Sequence, residues 1–325
     1  MDWITDRFEQ AQLWLFETWL QPLMFHAGLG NLLADGHRAT GWLLVGLLQL
    51  AVMLAVFRTL ERWRPAEAVV DRAAVRTDIV YTLIHRLGLF RVALFFAIDP
   101  LWDLLRGWLG LHGMGGLELD RLWPGVTDQA WVSFLIYLLV FDAVDYVYHR
   151  VQHRLDWWWQ LHAVHHSQRQ MTMWSDNRNH LADDLLRDSV FALLGIAIGV
   201  APAQFIALVA VTQLVESLSH ANTRLDFGPL LSRLIVSPRY HRTHHAIGIG
   251  HEASGPRGGA GTLGGCNFAV LFPIWDMLGG TARFDAPASR IAPTGIRDQL
   301  EGRDYGHGFW AQQWLGLRRL FDRDA

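Results

Sequence analysis

The sequence predicts an all-α integral membrane protein: about four membrane helices, or a re-entrant hairpin among them, carrying a cytosolic helical cap built around clustered histidines. Three observations predict it. The 325 residues are 51% hydrophobic and only 18% charged. Several apolar runs approach the roughly 20 residues that cross a bilayer as a helix. Ten of the sixteen histidines fall between positions 149 and 245, at helical spacings.

The elements follow in order. Residues 11–25 are apolar but contain Glu17, Gln21 and Pro22, which suits an interfacial segment better than a spanning one. Residues 40–57 carry no charge and are long enough to cross. A second span is expected over 79–98, with His85, Arg86 and Arg91 facing protein or snorkelling. A third covers 129–148 and ends in Asp142, Asp145 and Tyr148, where it emerges into a polar site. The stretch 189–218 is split by Pro202 into halves too short to cross, so a hairpin entering and leaving by one face is expected, with a single kinked crossing as the alternative. Within the tail 283–325, residues 297–325 alternate Trp, Leu and Phe with Arg and Asp, an amphipathic pattern suited to the bilayer surface. The chain thus divides into an interfacial segment (1–39), anchor helices (40–128), a histidine domain (129–282) and the tail.

Arginine placement orients these spans. Arg58, Arg62, Arg64, Arg72 and Arg76 crowd the first connection, whereas only Arg106 and Arg121 occupy the second. The positive-inside rule puts 58–78 in the cytoplasm and, through the hairpin, all the histidine segments with it. The N-terminus lacks the pattern of a signal peptide. Sixteen Trp favour the membrane boundary, and a net charge of −3 excludes the basic balance of a nucleic-acid binder. The single cysteine, Cys266, excludes an internal disulfide and cysteine-based metal sites.

His149 and His153 stand at i, i+4, which projects both rings from one helical face. His162, His165 and His166 stand at i, i+3, i+4, and His241, His244 and His245 repeat that pattern after Ser237-Pro238, a helix start. His220 follows Glu216 by one turn. This many histidines exceeds the four ligands of one zinc site and fits two metal ions with about four nitrogens each. Imidazole suits iron, zinc, copper or nickel, and a large cysteine-free site beside a membrane favours iron. Asp145 precedes His149 as Glu216 precedes His220, and Asp142 lies nearly on the same face. Each is a candidate to accept a ring N–H and fix its tautomer, or else a solvated carboxylate at a helix end.

The order HRxxH, HxxHH, a lone histidine and PRYHRxHH resembles the fatty acid hydroxylase/sterol desaturase superfamily of membrane non-haem di-iron enzymes. Asn267-Phe268-Ala269 and Trp275-Asp276-Met277-Leu278-Gly279-Gly280-Thr281 are similar to that family's NYG and WDxxFGT segments, with Phe268 and Ala269 in place of Tyr and Gly. The resemblance covers roughly 131–282. It implies a di-iron centre held by His149, His153, His162, His165, His166, His220, His241, His244 and His245, with His180 a possible further ligand. Asn267 joins Asp145 and Glu216 as a residue behind the ligands. It implies oxidation of a lipid C–H bond, by hydroxylation or desaturation, with dioxygen as co-substrate. Electrons would come from an external ferredoxin or cytochrome-type donor, since no flavin, haem or cluster motif is present.

Competing readings are weaker. Residues 259–264 match GxGxxG but follow no strand. His251-Glu252 lacks the second histidine of a zinc protease. His26, His37, His85, His112 and His307 have no partners at ligand spacing and read as structural or solvated. Trp157, Trp158 and Trp159 read as an interfacial anchor. A membrane zinc hydrolase would need a glutamate base, for which Glu216 is the candidate. A metal transporter would place its histidines within several spans rather than at their ends.

Overall fold

The computed structural model describes residues 2–114, 116–248, 265–284 and 292–322, and among them the regular elements are all helical. Most of the Gly-rich segment, including 259–264 and His251, lies outside the described residues. The helices are α1 Asp2–Leu15, α2 Gln21–His26, α3 Gly30–Trp63, α4 Arg72–Arg86, α5 Leu89–Ala97 and α6 Asp99–Leu111. After them come α7 Ala130–Gln152, α8 Asp156–His166, α9 Leu181–Ile198, α10 Pro202–His220, α11 Gly228–Leu231 and α12 Pro238–His244. The last are α13 Ile274–Gly279 and α14 Phe309–Phe321.

Among the described residues, three helices are long and apolar enough to cross a membrane: α3, α7 and α10. Only 22% of the apolar window of α3 and 17% of that of α10 is buried in the protein. Their outward faces, with Leu47, Leu48, Leu54 and Val56 on α3, therefore need an apolar surrounding, which a bilayer supplies.

The uninterrupted span expected over 79–98 is corrected: it is broken into α4 and α5. Gly88 takes φ +77, which ends one helix and starts the next at an angle. Hydropathy does not register that break, because every side chain around it is apolar or long enough to reach a partner. The Arg86 guanidinium at the end of the first piece is buried against Gln49 of α3 and Asp176. Gly46 lets α3 approach there: a Cβ on it would sit 1.6 Å from the Arg86 carbonyl oxygen.

The turn before Pro202 forms, but the second arm, α10, is long and apolar enough to cross, against the expectation that both halves are too short. Gly199 caps α9 at φ +71, and Pro202 opens α10. The turn meets the start of α7, where the Tyr137 hydroxyl donates to the Ile198 carbonyl over a core of Leu138, Phe141 and Leu208. The C-terminal ends of α7 and α10 therefore lie together, bearing His149 and His220. The end of α3 joins them, since Glu61 accepts from the backbone of Met173 and Asn222.

Helix α14 packs on α8 and α4 with an inverted polarity. Gln312, Gln313 and Arg319 are buried, while Trp310, Trp314 and Phe321 are exposed. That suits a helix whose outer face meets the membrane boundary.

Candidate metal centre

Four helices deliver nine imidazoles to one buried place. α7 brings His149 with His153 at its end, α8 brings His162, His165 and His166, α10 ends on His220, and α12 brings His241 and His244 with His245 as its cap. The start of α12 is as the sequence predicts, with Ser237 Oγ accepting from Tyr240 N and Pro238 in the first turn. None of the nine is more than 6% exposed.

They sort into groups whose ligand atoms lie within 4.8 Å of one another. One is His149, His153, His162 and His166; another is His165, His220, His241 and His245. His244 lies with His166 and His245 between them, its ring centroid 4.5 Å from that of His149. In the second group three Nε2–Nε2 separations are 3.1–3.2 Å. With metal–nitrogen bonds of about 2.0–2.1 Å, neighbouring ligands at right angles stand about 3 Å apart, so the spacing fits one ion.

The electrostatics agree. Burial, then the neighbouring imidazoles, hold His165, His241 and His245 well below the ordinary histidine value. Neutral rings keep the lone pairs that a metal needs.

Hydrogen bonds behind the rings choose the tautomers. Nδ1 of His149 donates to the Phe268 carbonyl, that of His244 to the Cys266 carbonyl and that of His220 to the Glu216 carbonyl, each at 2.8 Å. Nδ1 of His162 lies 3.3 Å from Asp183 Oδ2. The Gln168 amide is 3.3 Å from His245 Nδ1, and its otherwise unpaired oxygen accepts that N–H once the amide is turned over. Each bond leaves Nε2 bare toward the centre. Nε2 of His149 and of His162 has no hydrogen-bond partner in the protein, an expensive state for a buried nitrogen unless it is a ligand.

The loop carrying two of these carbonyls is pinned from three sides. Asp276 accepts from Phe268 N and Ala269 N, and from the hydroxyls of Thr281 and Tyr240. Asp142 accepts from Leu271 N, Phe272 N and Trp275 Nε1. Asn267 sits at φ +61, which Asn tolerates, and its side chain bonds the Tyr240 and Arg283 carbonyls and Arg283 N. It holds the loop and touches no imidazole hydrogen-bonding atom.

Four sequence expectations need correction. The Asp145 carboxylate does not back His149; Arg187 takes it, with Nε at 3.1 Å, because a fixed cation outcompetes a neutral ring. The Glu216 carboxylate likewise goes to Arg187 at 3.0 Å, and only its backbone carbonyl serves His220. His180 lies outside the histidine groups with both nitrogens engaged. Nδ1 accepts from Ala182 N at the start of α9, and Nε2 donates to the Gln313 carbonyl. Asp142 also serves the loop rather than His149.

Asp183 is the residue that sequence reasoning missed. It takes Gln152 Nε2 and Trp158 Nε1 at 2.7 Å and the Tyr148 hydroxyl at 3.1 Å, besides His162. Burial works to raise its carboxyl, but these bonds, that of His162 foremost, hold it below the usual carboxylate value. The signal available was an aspartate three residues after His180, which nothing tied to His162.

Residues 134–281 match the model of the fatty acid hydroxylase family. That part of the chain, less than half of it, is similar to the family. It is 25% identical over 244 residues to the ornithine lipid hydroxylase of Rhizobium tropici, covering 74% of this chain and 66% of that protein. It is 27% identical over 157 residues to the alkylglycerol monooxygenase of Danio rerio, covering 47% of this chain and 31% of that one. The chain thus spans less than two thirds of the length of these curated relatives. No solved structure matches it.

Proposed function

We propose that this chain is a membrane-bound oxygenase that hydroxylates a C–H bond of a lipid, using two histidine-held iron ions, dioxygen and external electrons. The observation that carries the reading is the pair of buried four-histidine groups, inside a region similar to the fatty acid hydroxylase family. His149, His153, His162 and His166 would hold one ion, with His244 beside them, and His165, His220, His241 and His245 the other. Iron bound there would supply dioxygen activation and hydrogen abstraction from the substrate.

The protein's own part is orientation and exclusion of water. The carbonyls of Phe268, Cys266 and Glu216, and the Asp183 carboxylate, hold ring N–H groups so that the opposite nitrogens point inward. Burial of all nine rings keeps water from the reacting centre. The hydroxylase and monooxygenase names of the relatives favour hydroxylation over desaturation. A zinc hydrolase would need a free carboxylate base, and Asp145 and Glu216 are both committed to Arg187. The arginine asymmetry supports a cytoplasmic-side centre in a bacterial inner membrane. A separate ferredoxin or cytochrome-type protein would deliver electrons.

Metal analysis with oxygen uptake tests the reading. Purified protein should hold about two irons per chain, as the two four-nitrogen groups require, and consume oxygen with a reduced donor and lipid. His165→Ala and His244→Ala should abolish uptake. Zinc alone, or full activity in both variants, would overturn it.

A further inference from the structure

Three consecutive tryptophans, Trp157, Trp158 and Trp159, open α8 without taking part in the chemistry described so far. They do not share one environment. Trp157 is 48% exposed, Trp158 is half-buried, and Trp159 is buried with its ring centroid 5.2 Å from that of His153 and 5.3 Å from that of His166. Trp157 and Trp158 stack, their centroids 5.0 Å apart and their planes 15° from parallel. Trp158 Nε1 donates to Asp183 Oδ1 at 2.7 Å, and the other oxygen of that carboxylate lies 3.3 Å from His162 Nδ1. His162 belongs to the first histidine group. Ring contact and hydrogen bonds therefore run without a gap from the surface at Trp157, through Trp158 and Asp183, to an imidazole that would hold metal.

An interfacial anchor accounts for the exposed Trp157 ring but not for its neighbour. Anchoring indoles keep the N–H at the wet boundary. That of Trp158 is turned inward to a carboxylate only 3% exposed. The bond changes what the ring can do. Indole is among the most easily oxidised side chains, and losing an electron leaves it positive. A buried carboxylate already hydrogen-bonded to the ring stabilises that charge far better than one screened by water. Trp157, stacked on the same ring, is placed to refill it. Tyr148 adds another oxidisable ring, edge-on to Trp158 at 4.8 Å, with its hydroxyl 3.1 Å from the same carboxylate oxygen.

We propose that Trp157 and Trp158, acting through Asp183 and His162, form a one-electron relay that discharges the metal centre to the surface when it is oxidised with no substrate bound. The proposal rests on the oxygenase reading, because a centre able to take hydrogen from a lipid will otherwise oxidise its own ligands. One electron passes from the Trp158 ring to the oxidised centre, while the N–H proton stays on its hydrogen bond to Asp183. Trp157 then returns an electron to Trp158. A water-soluble one-electron reductant, such as ascorbate or the external donor itself, refills Trp157. In sum one electron moves from that reductant to the centre, and no proton leaves either ring.

The experiment uses iron-loaded full-length protein in detergent micelles free of substrate lipid. The reduced protein is mixed with oxygen without a donor, frozen within milliseconds to seconds and read by electron paramagnetic resonance. An organic radical should appear, with a hyperfine pattern that changes when the tryptophan rings are deuterated. Trp158→Phe should lose that signal. Trp157→Phe should retain it but lose its rapid quenching by ascorbate, at unchanged iron content and melting temperature. After repeated oxygen exposure with ascorbate, peptide mass spectrometry should find oxidised histidine ligands accumulating several-fold faster in Trp158→Phe than in the unaltered protein. Iron content measured before exposure separates this damage from a folding defect. No tryptophan radical in a protein that binds iron and oxidises lipid, or equal ligand damage in all three proteins, would overturn the relay and leave the oxygenase standing. A tryptophan radical with no oxidation of any lipid would support the relay and remove the lipid reading. A protein that holds no redox-active metal would take down both.

Discussion

Asp183 offers the sharpest test of how the centre is built. Its carboxylate gathers four donors: His162 Nδ1, Gln152 Nε2, Trp158 Nε1 and the Tyr148 hydroxyl. Asp183→Ala strands Gln152 Nε2 and Trp158 Nε1, while the Tyr148 hydroxyl keeps the Asp183 backbone carbonyl; at about 1–3 kcal/mol for each stranded donor, the loss of stability should be about 2 kcal/mol at the least. Asp183→Asn is the more informative variant. It keeps the volume and one acceptor oxygen, but it removes the charge that makes His162 a stronger ligand and presents an amide N–H toward donors. Outer partners of metal-bound histidines change metal affinity by about 10- to 100-fold. Chelator competition on the purified protein should therefore show a loss of that size in Asp183→Asn for the ion held by His162. The melting temperature should fall less than in Asp183→Ala. If Asp183→Asn lost stability with unchanged metal affinity, Asp183 would be a packing residue, and the tautomer argument for His162 would fail.

Two further substitutions separate neighbouring roles. Asn267→Gly keeps the left-handed backbone but removes three side-chain hydrogen bonds, so oxygen uptake should fall more than metal content as the Phe268 and Cys266 carbonyls loosen, read by activity beside metal analysis. His180→Ala loses a helix cap and should cost about 1 kcal/mol in thermal unfolding while retaining full metal, because His180 stands outside both groups.

What could be read in the sequence was what local spacing encodes. The i, i+3 and i, i+4 histidines stand on one face of any helix that forms, so His162, His165 and His166 cluster before tertiary structure is known. Ser237-Pro238 announced α12 by the same local logic, and continuous apolar length announced α3 and α7, whereas the stretch that became α10 read as too short to cross. The partners behind the rings were not legible. His149 reaches a backbone carbonyl 119 residues away, and a carbonyl has no side-chain signature. The helical proximity of Asp145 to His149 was real, but Arg187 arrives from α9 and captures it, together with Glu216. His180 misled because its residue type matched a ligand while its place at a helix start gave it a cap's work. The break at Gly88 escaped because a hydropathy window averages side chains and is blind to the sign of φ.

The neutral histidine cluster makes a last demand on the metal-free protein. Burial holds His165, His241 and His245 well below their ordinary value of 6.5, so in the folded state they stay unprotonated where the unfolded chain would take up protons. The folded pKa is depressed, hence the stability linked to these groups is complete above about 6.5 and is lost as pH falls below it. Each such histidine contributes a slope of up to about 1.4 kcal/mol per pH unit, so three give about 4 kcal/mol per unit at the limit. Chelator-treated protein should therefore show a melting temperature that is flat from pH 8 to 7 and drops steeply between about pH 6 and 5. Bound metal should defer that drop, since protons must first displace it from the same nitrogens. A metal-free melting temperature that stays level through pH 5 would mean the cluster accepts protons in place, and the neutral, ligand-ready state assigned to these rings would be wrong.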